Sequence, residues 1–310
     1  MKKAAGRARV RVPASTSNLG AGFDCIGVAV DRWLTASVRV TDNAAGVKMN
    51  RSGANARITL PPDEDLIHTG FRLACEASHT SVPSALEYDV TSTIPVARGL
   101  GASAAALVAG AFLASGALGL DLTSDAIATL CAREEGHPDN AGPSVFGGAV
   151  LGIPTRDDGS TWEFSELRIH DNIALVFAVP ELEVLTAEAR AVLPKSVAHV
   201  TAVRAAAKAA ALVEGLSKAD EGLLRFALDD VLHVPFRRRL IPGYDSVVTA
   251  AIKAGAFGAT LSGSGSTMVA IAPYEAASRV GIAMQAAWKS HDQNAELIIS
   301  DKAVKGASLE

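Results

Sequence analysis

Two stretches of this 310-residue chain hold residue types at spacings that chemistry could use. The first is Arg133-Glu-Glu-Gly-His-Pro-Asp-Asn-Ala-Gly-Pro143, which packs Glu134, Glu135, His137, Asp139 and Asn140 into seven residues. A surface loop could hold these groups for solubility alone. Its glycine and proline spacing argues instead for a fixed backbone, and carboxylates beside an anion site suit Mg²⁺, a hard cation that takes oxygen ligands. His-x-Asp without a nearby cysteine is not a zinc spacing. The second stretch, residues 94–113, passes from an extended segment through a glycine turn into a helix rich in small residues. Gly99 and Gly101 let the backbone come close to a ligand. Ser103 falls where free N–H groups and the positive end of the helix dipole would meet an anion. The two stretches together suggest a phosphate cradle with a metal beside it.

The elements that must position these residues can be read outward from the glycine turn. Gly99-x-Gly101-x-x-Ala104 formally fits a dinucleotide fingerprint. That motif follows a buried parallel strand with a continuous apolar run, whereas residues 88–94 alternate like a half-solvated antiparallel strand and Pro95 interrupts them. Residues 99–120 carry no charge and match a bilayer in length, but five glycines and many alanines favour a buried helix. Residues 9–12 alternate as a strand that Pro13 ends, and 13–24 read as a loop dense in Ser, Asn and Gly. That loop is either a turn closed by local hydrogen bonds or a glycine-shaped floor presenting Asn18 and Asp24. Alternation predicts strands at 34–40 and 57–60, a hairpin of 145–153 with 161–167 around Asp157-Asp-Gly159, and helices at 65–77 and 122–134. In the second half, 173–180 is a buried strand, and Arg190 follows at the head of a helix. Residues 199–216, 219–232, 244–256 and 275–290 are helical; 267–271 and 295–300 are strands. Arg237 opens a basic trio, and taken singly such arginines are usually solvated or paired. This alternation makes the second half an α+β split βαβ unit.

Composition narrows the function classes. The chain is long enough for two domains, 1–165 and 166–310. Its net charge of −4, without a basic run, argues against a nucleic-acid partner. The core must be built from Ala, Val and Leu, because aromatics make up only 5%. Cys25, Cys75 and Cys131 form no CxxC pair and suggest reduced thiols in a cytoplasmic protein. The amino-terminal basic residues precede no apolar segment, so they are not a secretory signal, and no membrane partner is expected.

Three segments, Pro13-Ala-Ser-Thr-Ser-Asn-Leu-Gly-Ala-Gly-Phe-Asp24, Pro95-Val-Ala-Arg-Gly-Leu-Gly-Ala-Ser-Ala-Ala105 and Leu261-Ser-Gly-Ser-Gly-Ser-Thr267, resemble in order and spacing the three signature motifs of the GHMP small-molecule kinases. Within them, Glu135-Gly-His-Pro-Asp-Asn140 with Gly147-Gly148, Thr186-x-x-x-Arg190 and Leu232-His-Val-Pro-Phe-Arg237 are similar to the homoserine kinases. The resemblance implies an α+β GHMP fold: a ribosomal-S5-like amino-terminal domain with a left-handed crossover, a ferredoxin-like carboxy-terminal domain and a pocket between them. It implies transfer of the γ-phosphoryl of ATP, with Mg²⁺, to the hydroxyl of a small-molecule substrate, L-homoserine, and it admits a homodimer. It places Pro95, Arg98, Gly99, Leu100, Gly101, Ala102, Ser103, Ala104, Gly263 and Gly265 on ATP, and Ser103 and Glu135 on the metal. Asp24 would take the substrate ammonium, Arg190 and Arg237 its carboxylate, and His137 would line the pocket. Asn18 and Asn140 would position the hydroxyl, with Asp139 the one candidate base. The chain departs from the family pattern at Ala102, usually serine, at Ser266, usually proline, and at Val234 and Phe236 in the His-Gln-Pro-Tyr-Arg stretch. Another GHMP substrate, or a non-catalytic nucleotide binder of the same fold, are the competing readings. A P-loop is excluded, since no Gly-Lys-Ser/Thr occurs.

Overall fold

A computed structural model describes residues 6–41, 46–158 and 160–310. Residues 1–5 of the basic amino terminus, and Gly159 of the expected hairpin turn, lie outside the described residues. The first half runs β1 (Arg7–Asn18), β2 (Gly22–Val40), β3 (Val47–Gly53), α1 (Leu66–Ala77), β4 (Leu86–Ser92), α2 (Ala102–Leu118), α3 (Ser124–Glu135), α4 (Ala141–Phe146), β5 (Ala149–Pro154) and β6 (Trp162–Leu167). The second runs β7 (Ile173–Pro180), α5 (Thr186–Ala191), α6 (His199–Lys218), α7 (Glu221–Leu228), α8 (Val234–Arg237), α9 (Tyr244–Lys253), β8 (Gly258–Leu261), β9 (Met268–Pro273), α10 (Ala277–Lys289), β10 (Ala295–Ser300) and β11 (Ser308–Leu309).

Two sheets result. The first has the order β11-β1-β2-β4-β3, with β5 also on β2 and β6 on β5; β3 and β4 pair in parallel across α1. The second has the antiparallel order β10-β7-β9-β8, a ferredoxin-like arrangement. β7 explains why its sequence is a continuous apolar run. Ile173, Leu175, Phe177 and Val179 face a core shared with the first sheet, while Ala174, Val176 and Ala178 face α9 and α10. A strand buried on both faces has no polar side to alternate with.

α2 has no polar face because, apart from Ser103 in its first turn, every one of its residues is buried or half-buried. Among the described residues no helix is long and apolar enough to cross a membrane. One glycine on each helix sets the crossing of α1 and α2: a Cβ on Gly110 of α2 would lie 1.9 Å from the Ile67 carbonyl oxygen, and one on Gly70 of α1 would lie 2.0 Å from that of Leu107.

Several expected boundaries move. Residues 13–18 continue β1 rather than forming a loop, with register shifts after Pro13 and after Ser17. Residues 57–60 are irregular, and the edge strand is β3. One face of β3 is solvated, which masks it as a polar stretch. Val145 belongs to α4, where Pro143 fits the first turn because its missing N–H would have no partner there. Residues 258–261 form β8, to which no expectation was attached, and β11 pairs with β1.

Candidate active site

The glycine turn before α2, the end of β1, the loop 135–140 and the turn 262–266 are knit into one floor. Ser15 N–H donates to Leu100 O at 3.2 Å, and Thr267 N–H to Arg98 O at 3.2 Å. Ser262 Oγ donates to Gly99 O at 2.6 Å and meets Thr16 Oγ1 at 2.8 Å. Asn18 Nδ2 donates to Gly263 O at 3.0 Å, while its Oδ1 accepts from Asp24 N–H at 3.0 Å. Asn140 accepts from Ser15 Oγ at 2.9 Å and donates to Ser17 Oγ at 3.1 Å and to Asp139 Oδ1 at 3.3 Å, which uses both its amide hydrogens. The polar residues of 13–18 are therefore buried as scaffold.

This floor closes one side of a cavity of about 560 Å³. Lining it are Asn18, Asp24, Pro95, Arg98, Gly99, Leu100, Gly101, Ala102, Ser103, Glu135, His137, Asp139, Asn140, Arg190, Arg237 and Gly263. Ala104 and Gly265 are not among the lining residues: Ala104 is buried in α2, and Gly265 abuts Ile241. The glycines of the turn line the cavity and also fit closely against the protein's own floor. Both are left-handed, at φ +71° for Gly99 and +65° for Gly101. A Cβ on Gly101 would lie 2.1 Å from Ser15 Oγ, and one on Gly99 would lie 2.1 Å from Ser262 O. Their missing side chains thus make room for the protein's own floor.

At the head of α2, Ser103 Oγ donates to Glu135 Oε1 at 2.5 Å. The other oxygen, Oε2, is buried without a hydrogen-bond partner. Burial raises the Glu135 pKa, opposed by His137 and the Ser103 bond. A buried carboxylate oxygen without a donor is costly; a hard cation beside it and the serine hydroxyl would remove that cost, so the pair fits Mg²⁺. Glu134, its sequence neighbour, is exposed.

Farther in, His137 Nδ1 meets Asp139 Oδ1 at 2.5 Å. Burial pulls the His137 pKa down, but the Asp139 hydrogen bond and charge outweigh it and hold it at about 9. Arg190, on α5, grips Asp24 with both terminal nitrogens, Nη1 to Oδ2 at 3.2 Å and Nη2 to Oδ1 at 2.9 Å. Arg237, nearly fully buried, donates from Nε to Ala189 O at 3.1 Å and from Nη1 to Gly263 O at 3.3 Å. Arg98 turns toward the protein, donating to Pro180 O and Val96 O and pairing with Glu183.

The apolar part of the cavity wall was not legible in the sequence. Ile58, Leu60, Leu66, Ile94 and Ala106 make it apolar, and Arg51, Asn55 and Asp65 give it polar edges. Arg51 pairs with Asp65, which also caps α1 through Ile67 N–H at 2.9 Å. Asn55 Oδ1 is buried without a partner. The alternation at 57–60 points to a strand, whereas irregular backbone shapes this wall.

Comparison with known proteins gives the family. The GHMP kinases N terminal domain model matches residues 65–148, and the GHMP kinases C terminal model matches 204–290. The chain belongs to the GHMP kinase family, in its homoserine kinase branch. It is 36% identical to the homoserine kinase of Nostoc punctiforme over 93% of each chain. With that of Gloeobacter violaceus the identity is 39%, over 90% of this chain and 92% of the other. The crystal structure of homoserine kinase from Cytophaga hutchinsonii superposes with a TM-score of 0.87 at 28% identity, covering 100% of this chain and 99% of that one. A mevalonate kinase structure, at 15% identity and a TM-score of 0.68 over 93% and 98% of the two chains, shares the fold.

Proposed function

We propose that this chain transfers the γ-phosphoryl of MgATP to the hydroxyl of L-homoserine. The observation that carries the reading is the meeting, in one cavity, of the Ser103–Glu135 pair at a helix head with Asp24, Arg190 and Arg237. An amino-acid alcohol has one cation, one anion and one nucleophile, and those five residues offer a partner for each charge at the edge of a phosphate site. A sugar would need no such ionic set.

The assignment follows the site from one end to the other. The apolar arm around Ile58 and Leu66 takes the base, and Asn55 Oδ1 is an acceptor for its edge. Residues 95–103 hold the triphosphate, at the amino-terminal end of α2 where free N–H groups favour an anion. Gly263 and Gly265 brace the turn from behind. Ser103 and Glu135 would hold Mg²⁺, which when bound draws charge from the phosphoryl oxygens. The Arg190 guanidinium fork suits a carboxylate, Arg237 adds a second cation, and Asp24 suits an ammonium. His137, held as a cation by Asp139, lines the hydroxyl end. Asn18 and Asn140 act by holding the floor, since the Asn140 amide hydrogens are already committed. Phosphoryl transfer through a loose transition state needs positioning and charge neutralisation more than a strong base. Asp139, which accepts from His137 and Asn140, is the candidate base.

The test is ADP release measured over homoserine, serine, threonine, mevalonate and galactose, with matched ATP and Mg²⁺. Homoserine is expected to exceed the others by at least about tenfold in kcat/KM. Comparable rates on mevalonate or galactose, or no ADP release on any alcohol, would overturn the reading.

A further inference from the structure

Behind Arg237 stands His233, which is fully buried. Its Nε2 is 3.1 Å from the carbonyl oxygen of Gly20, and its Nδ1 is 3.4 Å from Arg237 Nη1. Phe23 stacks on the ring, centroids 4.9 Å apart and planes 16° from parallel. Asp230 accepts from the backbone N–H groups of Leu232, His233 and Val234, which fixes the start of α8 and aims the ring.

The two ring contacts permit one protonation state. A carbonyl only accepts and a guanidinium only donates, so Nε2–H must donate to Gly20 and the Nδ1 lone pair must accept from Arg237. A protonated ring would turn an N–H toward the guanidinium. Burial and the Arg237 charge, against the opposing Asp230, hold the His233 pKa down at about 4, in keeping with that arrangement.

Arg237 thereby rests on three acceptors from three segments: Ala189 O in α5, Gly263 O in the third glycine turn and His233 Nδ1 ahead of α8. Among the described residues its Nη2 has no hydrogen-bond partner, and Arg237 lines the cavity. Gly20 belongs to the turn between β1 and β2, four residues before Asp24. That turn is seated against α7: a Cβ on Gly20 would lie 3.0 Å from Ala227 O.

We propose that His233 is a positioning residue that sets the plane of the Arg237 guanidinium by accepting from it at Nδ1. The inference rests on the assignment of Arg237 to the substrate. Its consequence is a guanidinium held in one orientation for the substrate carboxylate.

Two substitutions divide the two ring contacts. His233→Asn places an oxygen where Nδ1 stands and keeps an acceptor for Arg237. His233→Gln reaches toward Gly20 and loses that acceptor. His233→Gln is expected to raise the homoserine KM by about tenfold, the usual effect of losing a hydrogen bond to a charged group, with the ATP KM and kcat within about twofold. His233→Asn is expected to recover most of that loss. In an Arg237→Ala background, His233→Gln should add nothing further, whereas a general packing role would leave the two effects multiplicative.

Multiplicative effects, an unchanged homoserine KM in His233→Gln, or an Asn variant no better than Gln would each overturn the proposal. If Arg237→Ala itself leaves the homoserine KM unchanged, the substrate assignment fails and the His233 inference fails with it. Should glutamine prevent folding, His233→Asn decides alone: a near-wild-type homoserine KM supports the role and a tenfold rise refutes it.

Discussion

Gly101→Ala tests whether the phosphate turn is shaped by its ligand or by its own floor. The added Cβ would stand 2.1 Å from Ser15 Oγ and 3.0 Å from Asn140 Oδ1, at a residue with φ +65°. Holding alanine in the left-handed region costs roughly 1–2 kcal/mol. Ser15 Oγ must also rotate away, which removes its hydrogen bond to Asn140 at about 1 kcal/mol and leaves a buried oxygen unpaired at roughly 1–3 kcal/mol more. The sum, on the order of 3–6 kcal/mol, is large for a single change and is expected to lower Tm by on the order of 5–10 °C. Gly148→Ala is the internal control, being left-handed at φ +56° with nothing within 4 Å of the added atom; it should lose only the backbone share. Chemical denaturation and calorimetric ATP titration of both variants read the difference. If Gly101→Ala is no less stable than Gly148→Ala while ATP affinity alone collapses, the added atom meets phosphate rather than Ser15, and the floor argument is refuted.

Three other changes are expected to separate roles. Glu135→Gln should lower kcat by orders of magnitude with Tm unchanged or raised, because burial already disfavours its charge; Glu134→Gln, at an exposed position, should do neither, and steady-state kinetics with thermal melts decide. His233 has a depressed folded pKa of about 4 against an ordinary 6.5. The unfolded chain therefore takes up its proton first as pH falls from 6.5 to 4, and stability should decline across that window; denaturation midpoints should fall less steeply there for His233→Asn than for wild type. Arg190→Ala should raise the homoserine KM more than it lowers kcat, a binding loss on the order of 1.5–3 kcal/mol for hydrogen bonds to a charged group. It should also lose most of the preference for homoserine over 3-aminopropanol. Equal wild-type rates on homoserine, 3-aminopropanol and 1,3-propanediol would remove the ionic recognition altogether.

Much of the fold was legible because its signals are local. The N-cap Asp65, the N-cap Thr123 and the left-handed Gly119 that ends α2 are short-range chemistry, and β7 announced itself by a run of eight apolar positions. β3 and β11 were not legible, one because an edge strand keeps a polar face and the other because two residues are too few for any period.

The site divides along a similar line, for a different reason. Glycine turns and charged clusters are visible as types, so the residues that face the cavity could be named. What the turns are for could not be read, because it depends on contacts between residues more than a hundred positions apart, such as Ser15 with Asn140 and Asn18 with Gly263. The clearest instance is 13–18. Its Ser, Thr and Asn content reads as a loop, since such residues favour turns when their side chains bond locally. Here the partners are Ser262, Gly263 and Asn140, supplied by distant turns, and the same polar residues become the buried end of a strand. Local preference is overruled where the floor of the cavity is built, in keeping with the rule that sequence patterns break first at functional sites. His233 escaped notice on the same ground: a histidine is legible as a ligand or a base, whereas its contacts here, a carbonyl on one side and a guanidinium on the other, exist only once β1, β2 and α8 have met.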